Sequence, residues 1–419
     1  MNTDALISLM NELIENEKHP LLAASIGIIR DGKVIFSETA GSRFVYPDSQ
    51  EKLPADRTTK FRMASISKLL TATGIWQQIE KGIISPETEA GEILGFRMRN
   101  PNFPDIPVTI GMLLSHTSSI REGDDDVICT YHIPFPHTVR EFFEPGSTCY
   151  YPGCWAGRGE EPGEFFSYCN FNYGLLGTIL ECVSGERFDK YMTNHVFAPL
   201  GLDCGFYIPS MTESAREHIG TLYRKLDDRG NYDPQHGAWR AQVDDYSKGV
   251  PQGIDAYRIG TNATLFSPQG GLRASVEDLM ILMQAWMGLT RVKLLSEETI
   301  AQMFLPVWTF DENAKNGDSR CDQCYGRGPQ IFLNRKGTDR LSETVDLPFV
   351  GHGAGAYGLL GTLGMDLKRK NGIVVVAMGT GGKYPGNYSC SSRWEEIMLT
   401  AAAEYAGFEY PRQHMGAVS

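Results

Sequence analysis

Strand-forming sequence stands at both ends of this 419-residue chain, and mainly helical sequence fills the distance between. Near the start, residues 23–30 and 33–40 are apolar runs joined by Asp31-Gly32. Asp-Gly between two such runs predicts a tight hairpin. Near the end, residues 349–352, 358–366 and 372–378 have strand character, with turn-formers such as Lys370-Asn371-Gly372 between them. Leu6, Ile7, Met10, Leu13 and Ile14 share one face at helical spacing, and 393–405 reads as a last helix. This order predicts an α+β fold. One antiparallel sheet is built from both ends of the chain and carries the terminal helices on one face. Residues 1–84 and 341–419 form that discontinuous domain. Residues 85–340 form a mainly helical insertion lobe with a long loop, 121–161. A cleft between the two is a natural ligand site.

Within the insertion the clearest helices are 172–182, 186–197, 276–289 and 297–304. Ahead of it, 69–79 reads as a buried helix through Leu69, Leu70, Ala72, Ile75, Trp76 and Ile79. A net charge of −12 argues against nucleic acid and against anionic membrane surfaces as partners. No run approaches the roughly 18 apolar residues of a membrane span, and no signal peptide is evident. The expected location is cytoplasmic, and the nine cysteines are expected to be free thiols. Cys321-Asp-Gln-Cys324 is a lone pair without a second pair or a suitably spaced histidine, so neither a metal nor a cofactor is expected. The acidic run from Arg121 to Asp126 reads as a solvated loop. The oligomeric state is left open.

Three short segments carry chemistry: Ser65-Ile66-Ser67-Lys68, Tyr168-Cys169-Asn170, and Gly351-His352-Gly353-Ala354-Gly355. A serine hydroxyl needs a base before it becomes a nucleophile. Residues three apart share a helix face, so Lys68 stands one turn from Ser65. Burial by the helix that follows disfavours the charged amine and lowers its pKa. Singly, each segment has a plainer reading: Ser65 a helix cap, Lys68 an exposed residue, Tyr168 a half-buried loop aromatic, Asn170 a cap, His352 a core histidine. Their joint occurrence favours a serine acyl-transfer enzyme.

The segment Phe61-Arg62-Met63-Ala64-Ser65-Ile66-Ser67-Lys68 resembles the nucleophile segment of the serine β-lactamase and penicillin-binding-protein superfamily. It is most similar to the class C β-lactamase, D-aminopeptidase and carboxylesterase branch. Val108 to Ser119 is similar to that branch's T-I-x-x-L-L-x-H-T-S-G segment, and Pro162 to Gly177 resembles its P-G-x-x-F-x-Y-S-N segment with the following helix. Phe197 to Leu202 and Ser267 to Leu272 match further landmarks, so the resemblance runs from about residue 5 to 406. It implies a β-lactamase/transpeptidase-like fold. It also implies Ser65 as acylated nucleophile, Lys68 hydrogen-bonded to it, and Tyr168 as general base that also protonates the leaving group. For a phenol to act so, nearby positive charge must lower its pKa from roughly 10, and Lys68 is the expected source. Asn170 would position Lys68 and the substrate. The strand at His352 and Gly353 would form the far wall. The backbone N–H groups of Ser65 and Gly355 would make the oxyanion hole, with Ala354 as the alternative donor.

Several positions depart from the family pattern. Ala354 stands where glycine is usual, Cys169 replaces a serine, and Ser119 replaces the glycine that ends H-T-S-G. His352 stands where many β-lactam-reactive members carry lysine, and histidine is mostly neutral at pH 7. This favours a neutral ester or amide, short D-amino-acid peptides included. His116 is expected to brace its loop. The aromatics of 121–161, Tyr131, His132, Phe135, His137, Phe142, Phe143, Tyr150, Tyr151 and Trp155 among them, either form a lid or acyl-side pocket or pack the insertion against the helical lobe. Gly353 to Gly358 is formally GxGxxG, but a strand follows it, so no dinucleotide site is expected. The resulting expectation is a serine hydrolase forming an acyl-enzyme on Ser65 and cleaving a small ester, amide or short peptide. An acyltransferase with the same residues, a β-lactamase, and a catalytically silent binding protein of the same fold remain as alternatives.

Overall fold

The computed structural model describes residues 1–123, 132–242, 254–318, 323–381 and 384–410. The hairpin forms where Asp-Gly demands it: Ala23–Arg30 pairs antiparallel with Lys33–Val45, and Asp31 and Gly32 both take left-handed φ, 49° and 78°. Its second strand runs five residues beyond the expected 33–40. Asn371–Met378 then pairs with Ala23–Arg30, and Leu359–Asp366 and Val350–Ala356 follow outward. Both ends of the chain therefore share one sheet. Among the described residues it has nine strands; Lys52–Pro54 lies at one edge, and Gln330–Ile331, Cys324–Tyr325 and Trp308–Thr309 lie toward the other. Those last three come from within 85–340, as does a separate hairpin, Leu222–Leu226 with Ala238–Gln242. Two-residue strands give too short an alternation to be read from sequence.

Period-two alternation sorts the central strands between two cores. Ala24, Ile26, Ile28, Ile373, Val375 and Ala377 pack under the terminal helices Thr3–Ile14 and Arg393–Ala406, against Leu6, Met10, Trp394 and Met398. Their neighbours Ala23, Ile29, Val374, Val376 and Met378 face the opposite way, into the core that holds the helices Ser67–Glu80, Phe171–Ser184 and Val276–Trp286. Gly27 lets the last of these sit close, since a Cβ there would lie 2.8 Å from both Val276 and Met280. The helix Ser67–Glu80 is buried almost all round, which explains its weak amphipathic pattern. The expected helix 186–197 is an α-helix only over Phe188–Met192 and continues as a π-helical turn, Thr193–Phe197.

The expectation of nine free thiols fails at Cys390, which is disulfide-bonded. That expectation rested on compartment, which says nothing about which thiols the fold brings together. Cys149, Cys154, Cys169, Cys182, Cys204 and Cys324 are free; Cys129 and Cys321 lie outside the described residues. No helix among the described residues is long and apolar enough to cross a membrane.

Candidate active site

The turn at Ser65 is held by segments far apart in the chain. Phe61–Arg62 pairs with Arg273–Ala274, and the Met63 N–H donates to the Leu272 carbonyl at 2.8 Å. Ala64 takes φ +43°, a left-handed turn costly for a residue with a Cβ, and a 3-10 turn, Ala64–Ile66, leads into the helix at Ser67. Segment 267–272 clamps that helix from outside. The Ser67 hydroxyl accepts the Leu272 N–H at 3.0 Å, and the Thr71 hydroxyl donates to the Pro268 carbonyl at 2.7 Å.

Ser65, Lys68 and Tyr168 meet. Lys68 Nζ lies 3.1 Å from Ser65 Oγ, and the Tyr168 hydroxyl donates to the same Oγ at 2.8 Å. Nζ also donates to Asn170 Oδ1 at 2.8 Å and to the Gln269 carbonyl at 2.9 Å. Lys68 has 0% exposure. Burial brings its pKa down to about 7, although Glu122 and Cys169 pull the other way. The phenol does the reverse of what was expected. Burial pushes Tyr168 well above 10, Tyr325, Tyr173 and Glu122 add to the rise, and only the hydrogen bond to Ser65 opposes it. A lysine that is half neutral at pH 7 is not the fixed positive charge that a lowered phenol requires.

Glu122 is the residue that sequence reasoning missed. Within an acidic run it read as solvated, yet its Oε1 accepts from Asn170 Nδ2 at 2.8 Å and its Oε2 accepts the Phe171 N–H at 3.0 Å. A carboxylate at this helix N-terminus is favoured by the dipole. It also fixes the Asn170 amide, so that Oδ1 is the atom offered to Lys68. Residues 124–126 of the same run lie outside the described residues. Glu122→Gln would leave one of its two donors facing an NH₂ group. Losing one hydrogen bond to a charged group predicts a fall in kcat/KM of roughly 10- to 100-fold. Because Glu122 raises the Lys68 pKa, the acid limb of the pH–rate profile should also move to lower pH.

His116 braces the site. Its Nδ1 accepts the Cys169 N–H at 3.2 Å, and its ring stacks on Tyr168 with centroids 4.4 Å apart. Burial and Lys68 hold its pKa well below 6.5. Left-handed φ at His116 (59°) and Ser119 (61°) explains why a glycine suits the second position. His352 is 2% exposed, its Nδ1 donates to the Gly353 carbonyl at 2.6 Å, and burial lowers its pKa to about 3. It is neutral at every ordinary pH. Its ring stands 6.3 Å from that of Tyr168, so strand Val350–Ala356 runs close to Tyr168. The Phe332 N–H donates to the Phe349 carbonyl, which puts the backbone groups of 349 on the Gln330–Ile331 side. Alternation then turns Gly351, Gly353 and Gly355 to that side and Ala354 toward Leu359–Asp366. Beyond Gly351 this edge runs past the turn Ala64–Ile66.

Of the aromatics of 121–161, Phe142 lies in the core and Phe143, Tyr150, Tyr151 and Trp155 pack against it. Phe142 lies tilted against Phe171 with ring centroids 4.0 Å apart, and Phe143 meets Trp155 at 5.0 Å. Tyr131 lies outside the described residues.

A family model described as Beta-lactamase matches residues 8–387. The chain belongs to the beta-lactamase family. Its fold is the β-lactamase/transpeptidase-like one. Protein flp of Staphylococcus aureus (strain N315) is 27% identical over 215 residues, which is 50% of this chain and 40% of that protein. The chain thus aligns with well under half the length of this curated relative. An octameric penicillin-binding protein homologue from Pyrococcus abyssi superposes with TM-score 0.64 at 23% identity, over 97% of this chain and 78% of that one. A D-amino acid amidase from Ochrobactrum anthropi SV3 gives TM-score 0.66 at 17% identity, over 96% and 99%. For this beta-lactamase-family chain the two superpositions speak to fold.

Proposed function

We propose that the chain hydrolyses a small ester or amide through an acyl-enzyme on Ser65. The observation that carries this is the convergence of Tyr168 OH and Lys68 Nζ on one serine oxygen, at 2.8 and 3.1 Å. In its neutral form Lys68 donates to Asn170 and Gln269 and turns its lone pair to the Ser65 hydroxyl. It takes the serine proton as Oγ attacks the carbonyl carbon. The N–H groups of Ser65 and Gly355 are the proposed oxyanion donors, a contribution of ~10²–10³ in rate each. Tyr168, still protonated, gives its proton to the leaving group and recovers one from the Lys68 ammonium, which returns to its neutral form. Water then replaces the leaving group, and the same path runs in reverse to free the acid.

Neutral His352 offers no fixed charge to a substrate carboxylate, which supports uncharged esters and amides over β-lactams. The D-amino acid amidase among the fold neighbours supports including D-configured amides. A panel of p-nitrophenyl esters, D-aminoacyl anilides and a chromogenic cephalosporin tests the assignment. Cleavage of the ester or anilide, with the cephalosporin slowest, is expected; turnover of the cephalosporin alone would overturn it. Repeating the active reaction with an added alcohol separates hydrolysis from acyl transfer. Tyr168→Phe keeps the ring but loses the proton, and should lower kcat by at least the ~10²-fold of a general acid–base group.

A further inference from the structure

Outside the catalytic cluster, three chemically different side chains converge on the loop that sequence reading left unassigned. The turn Val139–Phe142 begins in a capping box, where Glu141 Oε1 accepts the Thr138 N–H at 3.0 Å. The other oxygen, Oε2, lies 2.7 Å from His137 Nδ1. Cys149 turns in from eight residues further on and is buried as a free thiol. One donor atom of each of the three lies within 4.8 Å of the others. Tetrahedral bonds of ~2.0–2.3 Å put ligands roughly 3.3–3.8 Å apart, so the set has about 1 Å at most to close. Imidazole, carboxylate and thiolate together suit a borderline cation and disfavour calcium or magnesium. The His137 and Glu141 side chains remain 29% and 25% exposed, which leaves an entry path.

We propose that His137, Glu141 and Cys149 form a site for a divalent cation of the zinc class, with solvent water as the fourth ligand. On binding, Cys149 releases its thiol proton to solvent, the His137 ring exchanges its Nδ1 proton for one on Nε2, and the His137–Glu141 hydrogen bond gives way to two metal bonds. Burial and the Glu141 carboxylate raise the free Cys149 thiol, a penalty that a dication reverses. Phe142, next to Glu141, packs on Phe171 at 4.0 Å, so the ion would stiffen the loop beneath the helix that starts after Asn170. No step at Ser65 passes through it.

Chelator-stripped full-length protein titrated with Co²⁺ tests the site. One equivalent should produce a thiolate-to-cobalt absorption band in the near ultraviolet and tetrahedral bands in the visible. Cys149→Ser should lose the ultraviolet band, and His137→Gln should weaken binding at least tenfold, with far-ultraviolet circular dichroism reporting the fold. If Cys149→Ser does not fold, the half-buried His137→Gln decides the case alone. Absence of the band in wild type would overturn the site, as would a band that survives Cys149→Ser on another thiol such as exposed Cys182, or unchanged affinity in His137→Gln.

Discussion

Ser65→Ala should abolish turnover, a loss on the order of 10⁶-fold in kcat, because no acyl-enzyme can then form. The residual rate is what bound substrate and oxyanion donors supply without a nucleophile. The fold should be unaffected. Removing Oγ takes a partner from Tyr168 and one from Lys68, but Lys68 keeps Asn170 and Gln269. A change in unfolding free energy within about 1–2 kcal/mol follows, measured by chemical denaturation. Steady-state kinetics that retain even a hundredth of wild-type kcat would mean that another residue is acylated.

Lys68→Met should lower kcat by roughly 10⁴-fold, the upper end for a general base, while filling nearly the same volume. The pH profile carries more information than the size of the loss. With its pKa at about 7, Lys68 must be neutral to act. Wild-type kcat/KM should therefore rise with pH to a plateau, be half-maximal near pH 7, and fall tenfold per unit below. The slow residual rate of Lys68→Met should lack that inflection. Stability responds with the opposite emphasis. The folded pKa lies below the unfolded value of 10.5, so between about 7 and 10.5 the unfolded chain holds the extra proton. Stability from this group thus increases with pH across that window, and the full cost of the buried charge is present below it. Lys68→Met should flatten that slope in denaturation measured from pH 7 to 10.

How far the site could be read from sequence follows from what each residue relies on. Ser65 and Lys68 are one helical turn apart, so their contact is local and was legible. Tyr168 and Asn170 come from a hundred residues away, and only the resemblance placed them beside Ser65. Glu122 was illegible because a carboxylate in an acidic run shows nothing of the helix N-terminus and amide that it meets in the fold. The Tyr168 pKa was read the wrong way because a buried lysine near neutrality does not act as the positive charge that sequence reasoning assumed. The central strands announced themselves as apolar runs set off by turn-formers, Asp31-Gly32 among them. Trp308–Thr309, Cys324–Tyr325 and Gln330–Ile331 have two residues each and no alternation to show. Cys390 was misread because pairing is a matter of fold geometry, which composition does not contain.

Peptide-mapped mass spectrometry after exposure to a fluorophosphonate tests the central claim most directly. The arrangement predicts one adduct, carried by Ser65, absent in Ser65→Ala and formed far more slowly in Lys68→Met. Folded wild-type protein that stays unlabelled, or that carries the adduct on another residue, would contradict it.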